Sequence, residues 1–206
     1  MFARIFAGIL FLSSLAACGS FQAAMPYAPT RAVEARAPNP VVWVSQVSSE
    51  HRAGGRDPAW VGTIRGGFGN ALKELHVSES VDKVVTQAFA DGLAARGLCA
   101  NSDATARYDL AVTINRLDSS QYVRREANAD FSITLRERAS GREVWRDRHR
   151  SYEVDGSPFA LDVGIFGSPD DLRRVVLHTM DSAVDVLLDN PKFRASLQDQ
   201  VAQQLE

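Results

Sequence analysis

The sequence predicts an α+β fold: a single, mostly antiparallel sheet with two amphipathic helices packed on one of its faces, in the order β-β-α-β-β-β-α. Two segments, near residues 81–93 and 172–187, repeat apolar residues at helical spacing and so carry one buried stripe each. Several shorter segments are β-branched or alternate apolar with polar residues, as half-buried strands do. The strands group around the helices, and a helix with a single apolar stripe needs a sheet face to cover it. At 206 residues, 45% hydrophobic and 23% charged, the chain is long enough for one domain with a substantial core.

Val41-Val42-Trp43-Val44-Ser45-Gln46-Val47 reads as a buried strand. Residues 48–59 are rich in Ser, Gly and charge and read as loop. Trp60 to Ile64 forms a second short strand, and Gly66-Gly67-Phe68-Gly69-Asn70 a turn. Ser78 or Ser80 can cap the first helix, whose stripe is Val81, Val84, Val85, Ala88, Phe89 and Leu93; Gly97 closes it. Tyr108 to Leu117 alternates, with Leu110, Val112 and Ile114 on one face and Asp109, Thr113 and Asn115 on the other.

Phe131, Ile133 and Leu135 begin a further alternating strand. Ser140-Gly141 marks a turn, and Val144 to Val154 returns as the hairpin partner. A three-residue loop sets Trp145 opposite Leu135 on the core side. It also turns Arg146, Arg148 and Arg150 outward beside Thr134, Ser132 and Asp130, and points Asp147 and His149 inward, an awkward place for polar groups. The last helix starts at Ser168-Pro169-Asp170-Asp171, with a capping serine, proline in the first turn and carboxylates favoured by the helix dipole. Its stripe is Leu172, Val175, Val176, Met180, Ala183, Val184 and Leu187, and Asn190-Pro191 ends it. The apolar, glycine-bearing stretch 157–167 fits none of these elements.

The N-terminus has a processing signature. Arg4 supplies a positive region, and Ile5 to Leu12 is an apolar stretch too short to span a bilayer, which takes about 20 residues. Leu15-Ala16-Ala17-Cys18 follows. A branched apolar residue, two small residues and a cysteine behind such a stretch resemble the lipobox of bacterial lipoproteins. Residues 1–17 are then a signal peptide, and Cys18 is the lipidation site, because only a thiol can take the diacylglyceryl group. More than one acyl chain, palmitate or similar, anchors stably, since each buried CH₂ contributes about 0.8 kcal/mol. By resemblance to Gram-negative sorting rules, Gly19 rather than aspartate after the cysteine implies outer-membrane delivery, the domain facing the periplasm. Residues 18–40 carry Pro26, Pro29, Pro38 and Pro40 in an alanine-rich run and read as a lipidated flexible tether, leaving 41–206 as one α+β domain. With Cys18 acylated, Cys99 has no disulfide partner.

Composition and motifs exclude several functions. A net charge of −2 gives no field for nucleic acid. Lysine stands only at 73, 83 and 192, and the arginines are scattered among acids. His51, His76, His149 and His178 lack metal-ligand spacing, and neither a nucleophile elbow nor a P-loop is present. No catalytic, metal or cofactor residue is assigned, and an envelope enzyme has no motif in its favour. The candidate surface is the row Arg146, Arg148 and Arg150, whose guanidiniums suit phosphate or carboxylate. The plain alternative is a solvated face neutralised by Glu137, Glu143 and Asp147, with the Gly66 to Asn70 loop or the 157–167 stretch as the binding surface instead.

The order of these pieces resembles the YajG-like family of envelope lipoproteins. The resemblance rests on Leu15 to Cys18, on Val61-Gly62-Thr63-Ile64-Arg65-Gly66-Gly67-Phe68-Gly69, and on Leu93-Ala94-Ala95-Arg96-Gly97-Leu98. It continues through the long hairpin to Tyr152-Glu153-Val154-Asp155-Gly156 and a terminal helix near Phe193. It implies a non-enzymatic, lipid-anchored adaptor or binding module. Its partners would be the membrane, through the lipid, and an envelope protein or anionic glycan or lipid. The element order is also similar to the lipoprotein partner of the lipopolysaccharide translocon and to lipoproteins that activate peptidoglycan synthases, an analogy of topology alone.

Overall fold

The computed structural model describes residues 19–34, 38–49, 57–156 and 167–197. Residues 1–17, expected to be a signal peptide, and Cys18 lie outside the described residues, as does the 157–167 stretch apart from Gly167. Seven strands form one mixed sheet: β1 (Gly19–Ala23), β2 (Val42–Ser49), β3 (Trp60–Arg65), β4 (Ala71–Val77), β5 (Tyr108–Gln121), β6 (Arg125–Glu137) and β7 (Glu143–Asp155). Three helices complete it: α1 (Val81–Ala95), α2 (Pro169–Leu188) and the short α3 (Pro191–Ser196).

The predicted α+β class holds, but the strand order differs. The sheet runs β1-β4-β3-β5-β6-β7, with β2 also paired to β5. The long β6/β7 ladder is the antiparallel hairpin the sequence predicts, and the β5/β6 ladder is antiparallel as well. Three pairings are parallel: β1 on β4, β2 on β5 and β3 on β5. Because β5 has 14 residues, its first half serves β2 and its last residues serve β3. Gly62 is where β3 meets β5: a Cβ there would lie 2.2 Å from the Ser119 hydroxyl and 3.2 Å from its carbonyl oxygen.

Ser80 caps α1 by accepting from the Lys83 N–H, and Gly97 takes a left-handed φ of 67° beyond its end. Ser168 caps α2 by accepting from the Asp171 N–H. α1 and α2 pack on the same sheet face, α1 over β2 and α2 over β5, β6 and β7. Phe89 of α1 meets Phe131 of β6 edge to face, centroids 5.7 Å apart. On the same face, Phe193 of α3 lies against Trp145 of β7 at 5.2 Å. The hairpin register is the expected one, with Leu135 opposite Trp145 and Thr134, Ser132 and Asp130 opposite Arg146, Arg148 and Arg150. Asp147 is tolerated on the inner side because edge strand β7 meets a helix end there, and the Asn190 amide donates to it at 2.8 Å.

The tether expectation is corrected over residues 19–34. β1 adds to the sheet edge, and Ala23 and Met25 join the core. Tyr27 and Thr30 then bond to α2. Backbone pairing to β4 and buried acids on α2 supply what the low apolar content of this stretch does not.

Candidate functional site

With the helices on one face, no element among the described residues covers the opposite face of β5, β6 and β7, which carries polar side chains. A bulge between Ile114 and Arg116 lets Asn115 turn outward while Leu117 still enters the core. The Asn115 amide donates to Asp130 at 3.0 Å and to the Ser132 hydroxyl at 2.8 Å. Arg148 forks onto the same Asp130 through Nε at 2.9 Å and Nη2 at 2.7 Å. This bidentate pair holds the carboxyl of Asp130 below the usual carboxylate range, against the opposing effect of burial. Arg150 donates to the Asn128 side-chain oxygen at 2.7 Å, and the Asn128 amide donates to Asp118 at 3.2 Å. Arg146 pairs with Glu143 at 2.7 Å.

The three arginines therefore share one face, as expected, and two of the acids named beside them, Glu143 and Asp130, steady them. Asp130 and Glu143 hold Arg148 and Arg146, whereas Asp147 faces the helices and Glu137 lies within reach of Arg107 and Arg142. Each guanidinium is fixed at one edge yet exposed; the Arg146 and Arg148 side chains are 62% and 63% accessible.

A second surface is less visible in the sequence. β3 and β5 run parallel, so the β3–β4 turn at Gly66–Asn70 and the β5–β6 turn at 122–124 lie at the same end of the sheet. The Tyr122 hydroxyl donates to the Gly67 carbonyl at 2.9 Å and ties the two tips together. Phe68 is fully exposed between Gly67 and Gly69. Tyr122, Val123, Tyr152 and Val154 are exposed beside it, the last two on the outer side of β7 where it pairs with the start of β6. The glycine-aromatic-glycine turn was one clue to this surface; the other members depend on strand pairing.

A third cluster is internal. Arg96, at the end of α1, is 2% exposed in its side chain and donates to Asp185 at 2.8 Å, to both oxygens of Asp189 and to Tyr27 at 3.1 Å. Burial opposes its charge, but these bonds keep Arg96 charged and shift its pKa upward. Burial, with the bond to Asp185, pushes the Tyr27 phenol up to about 12. Acids at 181, 185 and 189 on an otherwise apolar helix face were the available signal. The cluster joins the N-terminal segment to both helices. Among the described residues no group of three or more His, Cys, Asp or Glu side chains could hold a metal, and no described helix is long and apolar enough to cross a membrane.

No family model matches the chain, and no curated protein matches it. Among solved structures, protein XCC0632 from Xanthomonas campestris, of family DUF330, aligns at 12% identity with a TM-score of 0.56, covering 88% of this chain and 99% of that one. At that identity the likeness is one of fold. An uncharacterized protein aligns at 10% identity and TM-score 0.49, covering 82% of this chain and 95% of that one. Lipoprotein GNA1162 from Neisseria meningitidis aligns at 12% and 0.25, covering 71% and 99%. These two likenesses are too distant to carry an argument.

Proposed function

We propose that the chain is a lipid-anchored envelope lipoprotein, attached through Cys18 to the outer membrane, whose periplasmic domain is a non-enzymatic binding module. The sheet face opposite the helices presents Arg146, Arg148 and Arg150 to an anionic partner. The observation that supports this reading most is the arrangement of that face: three exposed guanidiniums on alternate positions of β7, each oriented by an acceptor of its own strand or of β6. Alternate positions are about 7 Å apart, a spacing that suits successive phosphates or carboxylates. The YajG-like assignment rests on motif order. In its favour, Val61 to Gly69 does form a strand and a glycine-aromatic-glycine turn.

Replacing all three arginines with glutamine tests the reading. Circular dichroism should be unchanged, and crosslinking in intact envelopes should recover less partner from the variant. Wild-type recovery should itself fall between low and physiological salt, because exposed charges are screened beyond about 8 Å at 0.15 M. Equal recovery from the two proteins at both salt concentrations would show that the arginine face is only solvated.

A further inference from the structure

We infer that the paired tips at Gly66–Asn70 and 122–124 dock on the bilayer surface to which Cys18 is anchored, so that the domain sits on the membrane rather than hanging from it. The inference rests on the lipoprotein reading of Cys18 and deepens it.

The position of the chain end carries the argument. Gly19 is already in the sheet, opposite Lys73 near the start of β4. Cys18 is bonded to Gly19, so their Cα atoms are about 3.8 Å apart. No slack lies between the acylated residue and the folded domain. Lys73 is five residues past Phe68, and β4 leads away from that turn. At about 3.4 Å per strand residue the tip is within about 17 Å of the anchoring point. A lipid held there brings this end of the sheet to the headgroups whatever the rest of the domain does.

That end has the chemistry of an interfacial surface. All five large hydrophobic side chains exposed among the described residues, Phe68, Tyr122, Val123, Tyr152 and Val154, lie there. Water gains nothing from such a cluster, whereas amphipathic aromatic rings partition to the headgroup level. Arg65 flanks one tip and Arg124 the other, with no acid in 65–70 or 122–124. Glu126 lies 3.4 Å from Arg124 and offsets part of that charge. The Tyr122–Gly67 bond holds the tips as one platform, so little ordering remains to be done on contact. Depth is set by the apolar tips at about 5–10 Å, the range of interfacial segments.

The test uses the mature acylated protein in vesicles of phosphatidylethanolamine and phosphatidylglycerol. Cys99 is changed to Ala, and a single cysteine at Phe68 or Ser140 takes an environment-sensitive nitrobenzoxadiazole label. Ser140 is in the turn between β6 and β7, at the far end of the sheet. The probe at 68 should emit to the blue and be quenched by lipids spin-labelled near the headgroup; the probe at 140 should do neither. Mass spectrometry of the same sample reports the acyl chains. Absence of acyl chains would overturn the lipoprotein reading. An acylated protein whose probe at 68 emits as in water would overturn the docking while leaving the anchor intact. Equal quenching at 68 and 140 would overturn it too, since the domain would then lie flat or tumble.

Discussion

On α2, Asp181, Asp185 and Asp189 stand four residues apart on one face, and burial treats them differently. Bonds from Tyr27, Thr30 and Arg96 hold Asp185 below the carboxylate range against its burial, and Arg96 and Arg194 do the same for Asp189. Asp181 receives only the Ala28 N–H at 3.3 Å, and its other oxygen is buried without a bond. Burial, with Asp185 nearby, pushes its carboxyl up to about 7. The two groups pull stability in opposite directions. Asp185 and Asp189 contribute above the unfolded carboxylate pKa of about 3.9 and lose their contribution as pH falls below it. Asp181, with a folded pKa above the unfolded value, is neutral at no cost at pH 4, and its penalty grows as pH rises through about 7. Asp181→Asn should therefore match wild type near pH 4 and exceed it by about 1–3 kcal/mol at pH 8. Urea melts at both pH values measure this, and a gain independent of pH would show that Asp181 is not the titrating group.

The N-terminal segment depends on that cluster. Arg96→Ala leaves Asp185 buried without its cation, while Asp189 keeps Arg31 and Arg194, and should cost about 3–5 kcal/mol. Hydrogen exchange should accelerate more over residues 19–34 than over β5 to β7, because Tyr27 loses its bond from Arg96, and Asp185, the acceptor that holds Tyr27 and Thr30, is left without its cation. Equal acceleration everywhere would mean that the segment is held by β1 alone. The sequence made the helices and the β6–β7 hairpin legible because their periodicity, caps and turn are local. It concealed β1, whose Gly-Ser-Phe-Gln-Ala carries a single large apolar residue and whose partner lies far downstream. It also concealed β4, where Lys73-Glu74 interrupts the apolar alternation and only Leu75 and Val77 are buried apolar positions. Arg146, Arg148 and Arg150 could be placed on one face from alternation, but their acceptors Asp130 and Asn128 follow from register.

Across the whole molecule, one apolar cluster runs from β1 through the sheet to α3. Phe89 is fully buried near its centre, and it is the contact through which α1 reaches β6. Phe89→Ala should cost about 3–5 kcal/mol and move a single unfolding transition as a unit, read alike by fluorescence and far-ultraviolet dichroism. Two separated transitions would mean that α1 and the hairpins melt independently. If the tips face lipid, Val154 and Tyr152 lie nearest the membrane on β7, and Arg150, Arg148 and Arg146 stand successively farther out. A partner reading that row would approach from the side, not from above.

The parallel pairing of β1 with β4 also fixes an order of events during biogenesis. Gly19 takes its place against Lys73, so the first strand of the sheet cannot form until a much later stretch of the chain is present beside it. Until then Gly19–Ala23 has no partner strand and stays open to the enzymes that the lipidation proposed for Cys18 requires. Once β1 zips onto β4, the backbone beside the cysteine is committed to the ladder. On the lipidation proposed for Cys18, modification precedes closure of the sheet edge.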